Sequence, residues 1–326
     1  MATQQKMDKE FMKAILIHQT GGPEQLQLGE KESPQPASGQ VLIQLDAIGV
    51  NFIDTYHRTG LYPQPMPLTP GMEGAGTIAA LGEGVSGLAV GRRVAYAMNL
   101  GAYAEYAVVN AWQTVPVPDA VSLDDAAAVM LQGMTAHYLA HSTWKLEAGQ
   151  TCVVHACAGG VGLILTQIAR RIGAKVIGTT SAAPGSAKYK LAEKAGADEI
   201  SDYANFKAKG VDVVYDGVGA STFASGLDAL RPRGLMVTFG NASGPVPDVS
   251  PLVLSQKGSI FLTRPTLAHY AATREEILWR SGDLFNWLAD GSLWLHIEKS
   301  YPLADAAQAH RDLESRKTSG KLLLKN

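Results

Sequence analysis

The chain is poor in several things at once. It has 2 cysteines in 326 residues, too few to staple a secreted fold or to build a four-thiolate zinc site. Charged residues make up 18% and the formal net charge is −2. Nothing in that balance draws the protein to phosphate backbones or anionic membranes, so neither a nucleic-acid nor a membrane partner is expected. No run approaches the roughly 18 apolar residues of a membrane helix. The start, 1–10, is polar and lacks the apolar core of a signal peptide. A cytoplasmic location is the expectation. No internal repeat, low-complexity tract or Gly-x-Ser-x-Gly elbow is found.

What is there is apolar and rich in turns. Hydrophobic residues reach 46% and glycines number 34, which argues against disorder and for many tight turns. The length makes two domains the default. Over the first 120 or so residues, strand-like runs at 13–17, 41–48, 76–81, 93–96 and 104–109 are separated by Gly82, Gly84, Gly87, Gly91 and Gly101. Four prolines between Pro63 and Pro70 predict an ordered loop without helix.

The texture changes at Ser122, which with Asp125 resembles a capping box opening a helix. From Thr151 onward, short apolar strands at 151–155, 175–179, 211–215 and 234–239 alternate with helical patterns. One of these carries Ile164, Ile168 and Ile172 at four-residue spacing. Such alternation means βαβ units and a parallel sheet covered on both faces, a doubly wound α/β fold. The tail predicts a helix at 273–289, a strand at 296–300, a helix at 305–314 and a strand at 321–324. The simplest architecture wraps the two ends into one domain, 12–125 with 266–326, around an inserted doubly wound domain, 126–265. Residues 1–11 are expected to be a flexible extension.

The most informative stretch is Ala156-Cys157-Ala158-Gly159-Gly160-Val161-Gly162. It stands between a predicted strand and a predicted helix, the setting of a dinucleotide fingerprint, although its spacing is not G-x-G-x-x-G. Missing side chains would let the main chain approach a pyrophosphate, and the helix N-terminus would present unpaired N–H groups to it. An NAD site expects a carboxylate at the end of the second strand to grip the ribose 2′-hydroxyl. Here that strand runs out as Gly178-Thr179-Thr180-Ser181, and the next charged side chain is Lys188. Hydroxyls and an ammonium suit a 2′-phosphate, which favours NADPH over NADH. A lysine at a helix start is also a common solvated residue.

Several separated motifs together resemble the quinone oxidoreductases, the zeta-crystallin-like, zinc-free branch of the medium-chain dehydrogenase/reductase superfamily. They are Gly49-Val50-Asn51-Phe52-Ile53-Asp54-Thr55-Tyr56, Gly60-Leu61-Tyr62-Pro63, the glycine turn, and Leu313-Glu314-Ser315-Arg316. The resemblance runs from about Met12 to the C-terminus. It implies a β-rich, partly open barrel-like (GroES-like) catalytic domain, an NADPH-binding Rossmann domain, an active site in the cleft between them, and a homodimer. Zinc-dependent relatives carry a ligand histidine where this chain has Met72, in Gly71-Met72-Glu73, and a ligand cysteine where it has Asn51. Catalytic zinc, which needs three protein ligands, is therefore not expected. His137 and His141 have helical i, i+4 spacing, but no nearby Glu or Cys completes a set.

The same resemblance assigns residues. Asn51, Tyr56 and Tyr62 match positions lining the nicotinamide and substrate pocket, where two tyrosines and an amide could stack on and hydrogen-bond to a flat carbonyl compound. The tyrosines could equally be half-buried packing aromatics. Gly159, Gly160, Val161 and Gly162 match the pyrophosphate turn. Lys188, Tyr203 and Arg316, with Thr180 beside them, match the 2′-phosphate end. Phe239, Gly240 and Asn241 match the segment passing the nicotinamide ribose, and Thr135 the helix facing it. Two departures stand out: the 180–188 segment is about three residues longer than in the family, and 204–210 is too short for the helix the family carries there. The activity implied is reduction of a quinone, or another activated carbonyl compound, by NADPH. The rivals are an enone or alkenal double-bond reductase, and a cofactor-binding crystallin-like or RNA-binding protein with little turnover.

Overall fold

The structure is a computed structural model that describes residues 10–326; the first nine residues of the expected extension lie outside the described residues. The chain forms two compact units, one reaching to Leu131 and including Ala272–Asn326, the other Gln132–Ala271. In chain order the first unit contributes β1 (Phe11–Leu16), β2 (Gln27–Glu32), β3 (Gln40–Val50), α1 (Phe52–Thr59), β4 (Glu73–Leu81), β5 (Arg93–Ala97), β6 (Tyr106–Asn110) and β7 (Val115–Pro116). α2 (Leu123–Tyr138) leads into the second unit. There follow β8 (Thr151–Val154), α3 (Gly160–Ile172), β9 (Lys175–Thr179), α4 (Ala187–Ala195), β10 (Glu199–Ser201) and β11 (Val211–Asp216). That unit closes with α5 (Phe223–Ala229), β12 (Leu230–Thr238), α6 (Pro251–Gln256), β13 (Phe261–Thr263) and α7 (Leu267–Tyr270). The first unit resumes with α8 (Arg274–Ala289), β14 (Ile297–Pro302), α9 (Ala306–Glu314) and β15 (Lys321–Lys325).

The first unit is built on a seven-stranded sheet ordered β14-β15-β3-β4-β5-β7, with β6 also paired to β3, beside the two-stranded β1-β2 ribbon. β3 is its spine: Val41, Ile43, Leu45 and Ile48 join Ile15, Ile78, Val94, Tyr96, Leu322 and Leu324 in one buried cluster. The longest sequence separations in the sheet meet here, because β15 pairs antiparallel with the end of β3, Leu323 facing Gly49.

Two elements of this unit are not marked by a buried apolar face. β2 is Gln-Leu-Gly-Glu-Lys-Glu and is largely exposed, without apolar alternation. α1 buries Asp54, Thr55, His57 and Arg58, so its inward face is polar, while Phe52, Ile53 and Tyr56 are only half-buried.

The second unit is a six-stranded sheet ordered β10-β9-β8-β11-β12-β13. All its pairings are parallel. Counting β8 as first, the order is 3-2-1-4-5-6, the Rossmann arrangement. Val153, Val214, Leu227, Met236 and Ile260 form its buried core on one side. Between β10 and β11 there is no helix. Phe206 instead turns inward from that short loop and meets the His155 ring edge-on at 5.2 Å. The strand order reverses between β8 and β11, which is where open α/β sheets bind ligands, outside the carboxyl ends of the strands. Among the described residues no helix is long and apolar enough to cross a membrane.

Candidate active site

The carboxyl end of β8 leads straight into the glycine turn. Ala156 adopts φ 54°, and the chain doubles back so that Gly159 N–H donates to Ala156 O at 2.8 Å. Gly159 caps α3 in an extended conformation, φ −82° and ψ 174°, which any residue can adopt. A Cβ at Gly159 would meet nothing but Ala156 O, at 3.2 Å. A side chain there would press on that carbonyl, and at Gly160 the missing Cβ makes room for the Gln132 amide. Gly162 is different, since a Cβ would run into Ala156 O and lie 2.8 Å from Cys157 Cα. The first helical bond is Leu163 N–H to Gly159 O. The N–H groups of Gly160, Val161 and Gly162 thus have no acceptor within the helix and form the positive end of its dipole.

Next to this turn lies the end of β9. Thr179 and Thr180 are buried, and no carboxylate follows them before α4. Ser186 caps α4 by accepting from Tyr189 N–H at 3.3 Å, which sets Lys188 in its first turn. The Lys188 charge reaches Cys157 in the glycine turn, where it pulls the thiol down against burial that pushes it up to about 12. Tyr203 lies near the same turn. Burial pushes its hydroxyl up to about 12, opposed by hydrogen bonds to the Thr179 side chain and the Ala156 backbone. Thr180, Lys188, Tyr203 and the glycine turn therefore gather at the carboxyl edge of β8 and β9. His155 is a buried scaffold residue, its Nδ1 2.8 Å from Thr179 Oγ1.

On the other side of the reversal, Asp216 ends β11 fully buried and accepts from Val218 N–H at 2.7 Å and Gly219 N–H at 3.1 Å. Thr222 Oγ1 adds a bond at 2.9 Å. This fixes the loop that Phe239 and Gly240 lean on: a Cβ at Gly217 would lie 3.0 Å from the Phe239 ring. Arg264 donates to Gly240 O at 3.4 Å, and Asn241 follows directly. Thr135 is buried on α2.

The other predicted residues belong to the first unit. Tyr56 and Tyr62 pack edge to face, centroids 5.2 Å apart at 68°. Asn51 is 4% exposed, and both ends of its amide are engaged internally. Its Nδ2 donates to Glu73 Oε1 at 2.7 Å, and its Oδ1 accepts from Lys321 Nζ at 2.9 Å. Lys321 also pairs with Glu73, and Leu131 N–H donates to Glu73 Oε2 at 2.6 Å. A Cβ at Gly49 would overlap the Glu73 carboxylate, which explains the glycine before Val50-Asn51. Arg316 is exposed just beyond α9 with φ 60°.

Sequence reasoning missed Lys321 and Glu73 as partners of Asn51, and it missed the neighbouring Asp54, Tyr103 and His310. Only Asp54 had a local signal, standing three residues after Asn51 as in a capping box; its Oδ2 accepts from Asn51 N–H at 2.9 Å. Among the described residues no group of three or more His, Cys, Asp or Glu side chains could hold a metal ion. The His137 and His141 rings do share one face, centroids 4.5 Å apart. Both cysteines are buried with thiols pushed up to about 12, unsuited to act as thiolate ligands.

A GroES-like sheet unit joined to a six-stranded parallel Rossmann unit is the plan of the medium-chain dehydrogenases/reductases. Residues 37–119 match the alcohol dehydrogenase GroES-like domain, and 195–324 match a family described as zinc-binding dehydrogenase. The quinone oxidoreductase of Pseudomonas aeruginosa is 43% identical over 324 residues, 96% of this chain and 99% of that protein. The chain belongs to the quinone oxidoreductase family of that superfamily. A crystal structure of Escherichia coli quinone oxidoreductase complexed with NADPH superposes with TM-score 0.93 at 42% identity, covering 96% of this chain and all of that one. A 2-haloacrylate reductase from a Burkholderia species is 40% identical over 331 residues, 95% of this chain and 98% of that protein.

Proposed function

We infer that the protein is an NADPH-dependent quinone reductase that works without zinc. The observation that carries this reading is the α3 N-terminus after the glycine turn, whose first N–H groups have no helical acceptor, with Lys188 and no carboxylate at the end of β9. That donor set suits a diphosphate and a 2′-phosphate, and the related E. coli enzyme crystallised with NADPH supports it.

In this reading Gly159, Gly160, Val161 and Gly162 seat the diphosphate. Thr180, Lys188, Tyr203 and Arg316 hold the phosphorylated ribose, while Thr135, Phe239, Gly240 and Asn241 flank the nicotinamide ribose. When bound, NADPH supplies the reducing equivalents, so the protein's task is alignment and exclusion of water. Tyr56 and Tyr62 offer ring faces and hydroxyls to a flat acceptor. Asn51 acts by holding the start of α1 through its bonds to Glu73 and Lys321. The quinone takes its protons from solvent after reduction, and the chain needs no dedicated acid. A homodimer in the cytoplasm, without nucleic-acid or membrane partners, completes the proposal.

The test is NADPH oxidation with 1,4-benzoquinone or 1,2-naphthoquinone, repeated with NADH. Turnover preferring NADPH is expected, and no oxidation above background would remove the reading. The likeness to 2-haloacrylate reductase motivates one alternative, reduction of an activated C=C bond. An acceptor panel including enones decides between them by relative kcat/KM. Cofactor binding without turnover on any acceptor would favour a binding protein.

A further inference from the structure

Asp54 lies in the first turn of α1 and is fully buried. Its Oδ2 accepts from Asn51 N–H and, at 3.1 Å, from the Tyr103 hydroxyl. Its Oδ1 is buried with no hydrogen-bond partner among the described residues. Tyr103 Oη is also 3.0 Å from His310 Nε2, and His310 Nδ1 is 3.0 Å from Arg58 Nη1. Arg58 continues to Glu314 at 2.7 and 3.1 Å. The direction of this chain is settled by its ends. A guanidinium can only donate, so His310 Nδ1 accepts; Nε2 then carries the hydrogen and donates to Tyr103, whose own proton points to Asp54. The wire runs from a cation to a carboxyl group with one oxygen unfilled.

The surroundings decide which group titrates. Facing Asp54 are Tyr103 ahead of β6, Glu73 on β4 and Lys321 on β15, with His310 on α9 and Arg58 on α1 behind Tyr103. Burial raises Asp54 to about 7; the Asn51 backbone, Tyr103 and Lys321 pull it down and Glu73 pushes it up. Burial, then the Arg58 charge, holds His310 down at about 3, so it stays neutral. His57, on the same helix, is lowered by burial.

Taking the quinone-reductase reading as given, we propose that Asp54 is a positioning residue, whose gain or loss of a proton at Oδ1 tightens or loosens the segment from Asn51 to Tyr62. Ionised, it makes charge-assisted bonds to Asn51 N–H and Tyr103 and sits favourably at the helix N-terminus. Protonated, it binds Asn51 more weakly. The proton is exchanged with bulk water. Turnover therefore rises with pH through the neutral range.

The experiment compares wild type, Asp54→Asn and Tyr103→Phe. Asparagine imitates the protonated form, its NH₂ in place of the protonated Oδ1. The folded protein binds this proton far more tightly than the unfolded chain, where the carboxyl titrates near about 4. Stability from Asp54 is thus fully present at low pH and lost as pH rises through the folded value. The thermal midpoint of Asp54→Asn should gain on wild type by roughly several degrees between pH 5 and 8. The wild-type kcat profile with NADPH and 1,4-benzoquinone should show an inflection near neutrality. That inflection should vanish in Asp54→Asn and move upward in Tyr103→Phe, which has lost a donor to the carboxylate. The dissociation constant for NADPH should stay unchanged across all three. A midpoint gap that is flat with pH overturns the titration of Asp54. A widening gap with superimposable kcat profiles overturns its positioning role. If Asp54→Asn does not fold, an unmoved inflection in Tyr103→Phe overturns the proposal alone. Absence of wild-type turnover removes the quinone-reductase reading and the positioning role with it, while the midpoint gap still reports whether Asp54 titrates.

Discussion

The two units assemble their functional groups by opposite means. In the second, the essential part is main chain: a turn of seven residues, one helix end, and side chains that flank it from the next strand and helix. In the first, it is buried polar side chains brought together from afar. Asn51 and Glu73 are 22 residues apart, and Lys321 and Asn51 are 270 apart. A main-chain site has little to lose from burial because its donors are already fixed by the helix. A buried charge network is the reverse, since each member is costly to bury unless every other member is present.

The sharpest way to break this comparison is to remove one member of the network. Lys321→Ala leaves Glu73 fully buried without its cation and Asn51 Oδ1 without its donor. A loss of about 3–5 kcal/mol in denaturant unfolding is expected. A loss below about 1 kcal/mol, the scale of a surface pair, would show that the network does not behave as a unit.

The glycine turn provides the contrast. Gly162→Ala places a Cβ against Ala156 O and the Cys157 backbone, atoms that cannot swing aside. A destabilisation of about 1–3 kcal/mol is expected, with NADPH affinity falling alongside. Gly159→Ala meets only Ala156 O at 3.2 Å and has an ordinary backbone, so that carbonyl must yield only slightly and its thermal midpoint should fall far less than that of Gly162→Ala. Its NADPH affinity should nevertheless fall at least about tenfold, or about 1.4 kcal/mol, in fluorescence titration. Equal affinity for Gly159→Ala and wild type would mean that the space over α3 is not where the diphosphate goes.

The same contrast decides what could be read without a structure. The parallel sheet, the glycine turn and the missing carboxylate after Thr179 are local features, carried by strand–helix alternation and by neighbours in sequence. The strands around β3 were legible from their apolar runs, though not their pairing, and α1 was not, because it buries Asp54, His57 and Arg58 where an ordinary helix buries leucines. Asn51 entered through a motif that pointed to a pocket. That its amide is committed to Glu73 and Lys321 depends on β15 returning beside β3, and no spacing in the chain announces that. His310 and Tyr103, 207 residues apart, were silent for the same reason.

The smallest expected effect tests the least local part of the main-chain site. Lys188 stands half-buried in the first turn of α4, and its ammonium is close enough to act on the Cys157 thiol. Its helix is capped by Ser186 rather than by Lys188, so Lys188→Glu leaves the α4 cap intact and adds a carboxylate where a helix N-terminus accepts one. Stability should hardly change. NADPH and NADH share the diphosphate and differ in the 2′-phosphate, so any loss confined to NADPH reports that phosphate. The expected outcome is NADPH weakened about tenfold or more, a differential near 1.4 kcal/mol, with NADH nearly unaffected and both measured by titration at the same ionic strength. Raising the salt should narrow the difference, because a half-exposed charge pair is screened. Equal losses for the two cofactors would detach Lys188 from the phosphorylated ribose and leave the turn itself as the whole of the cofactor site.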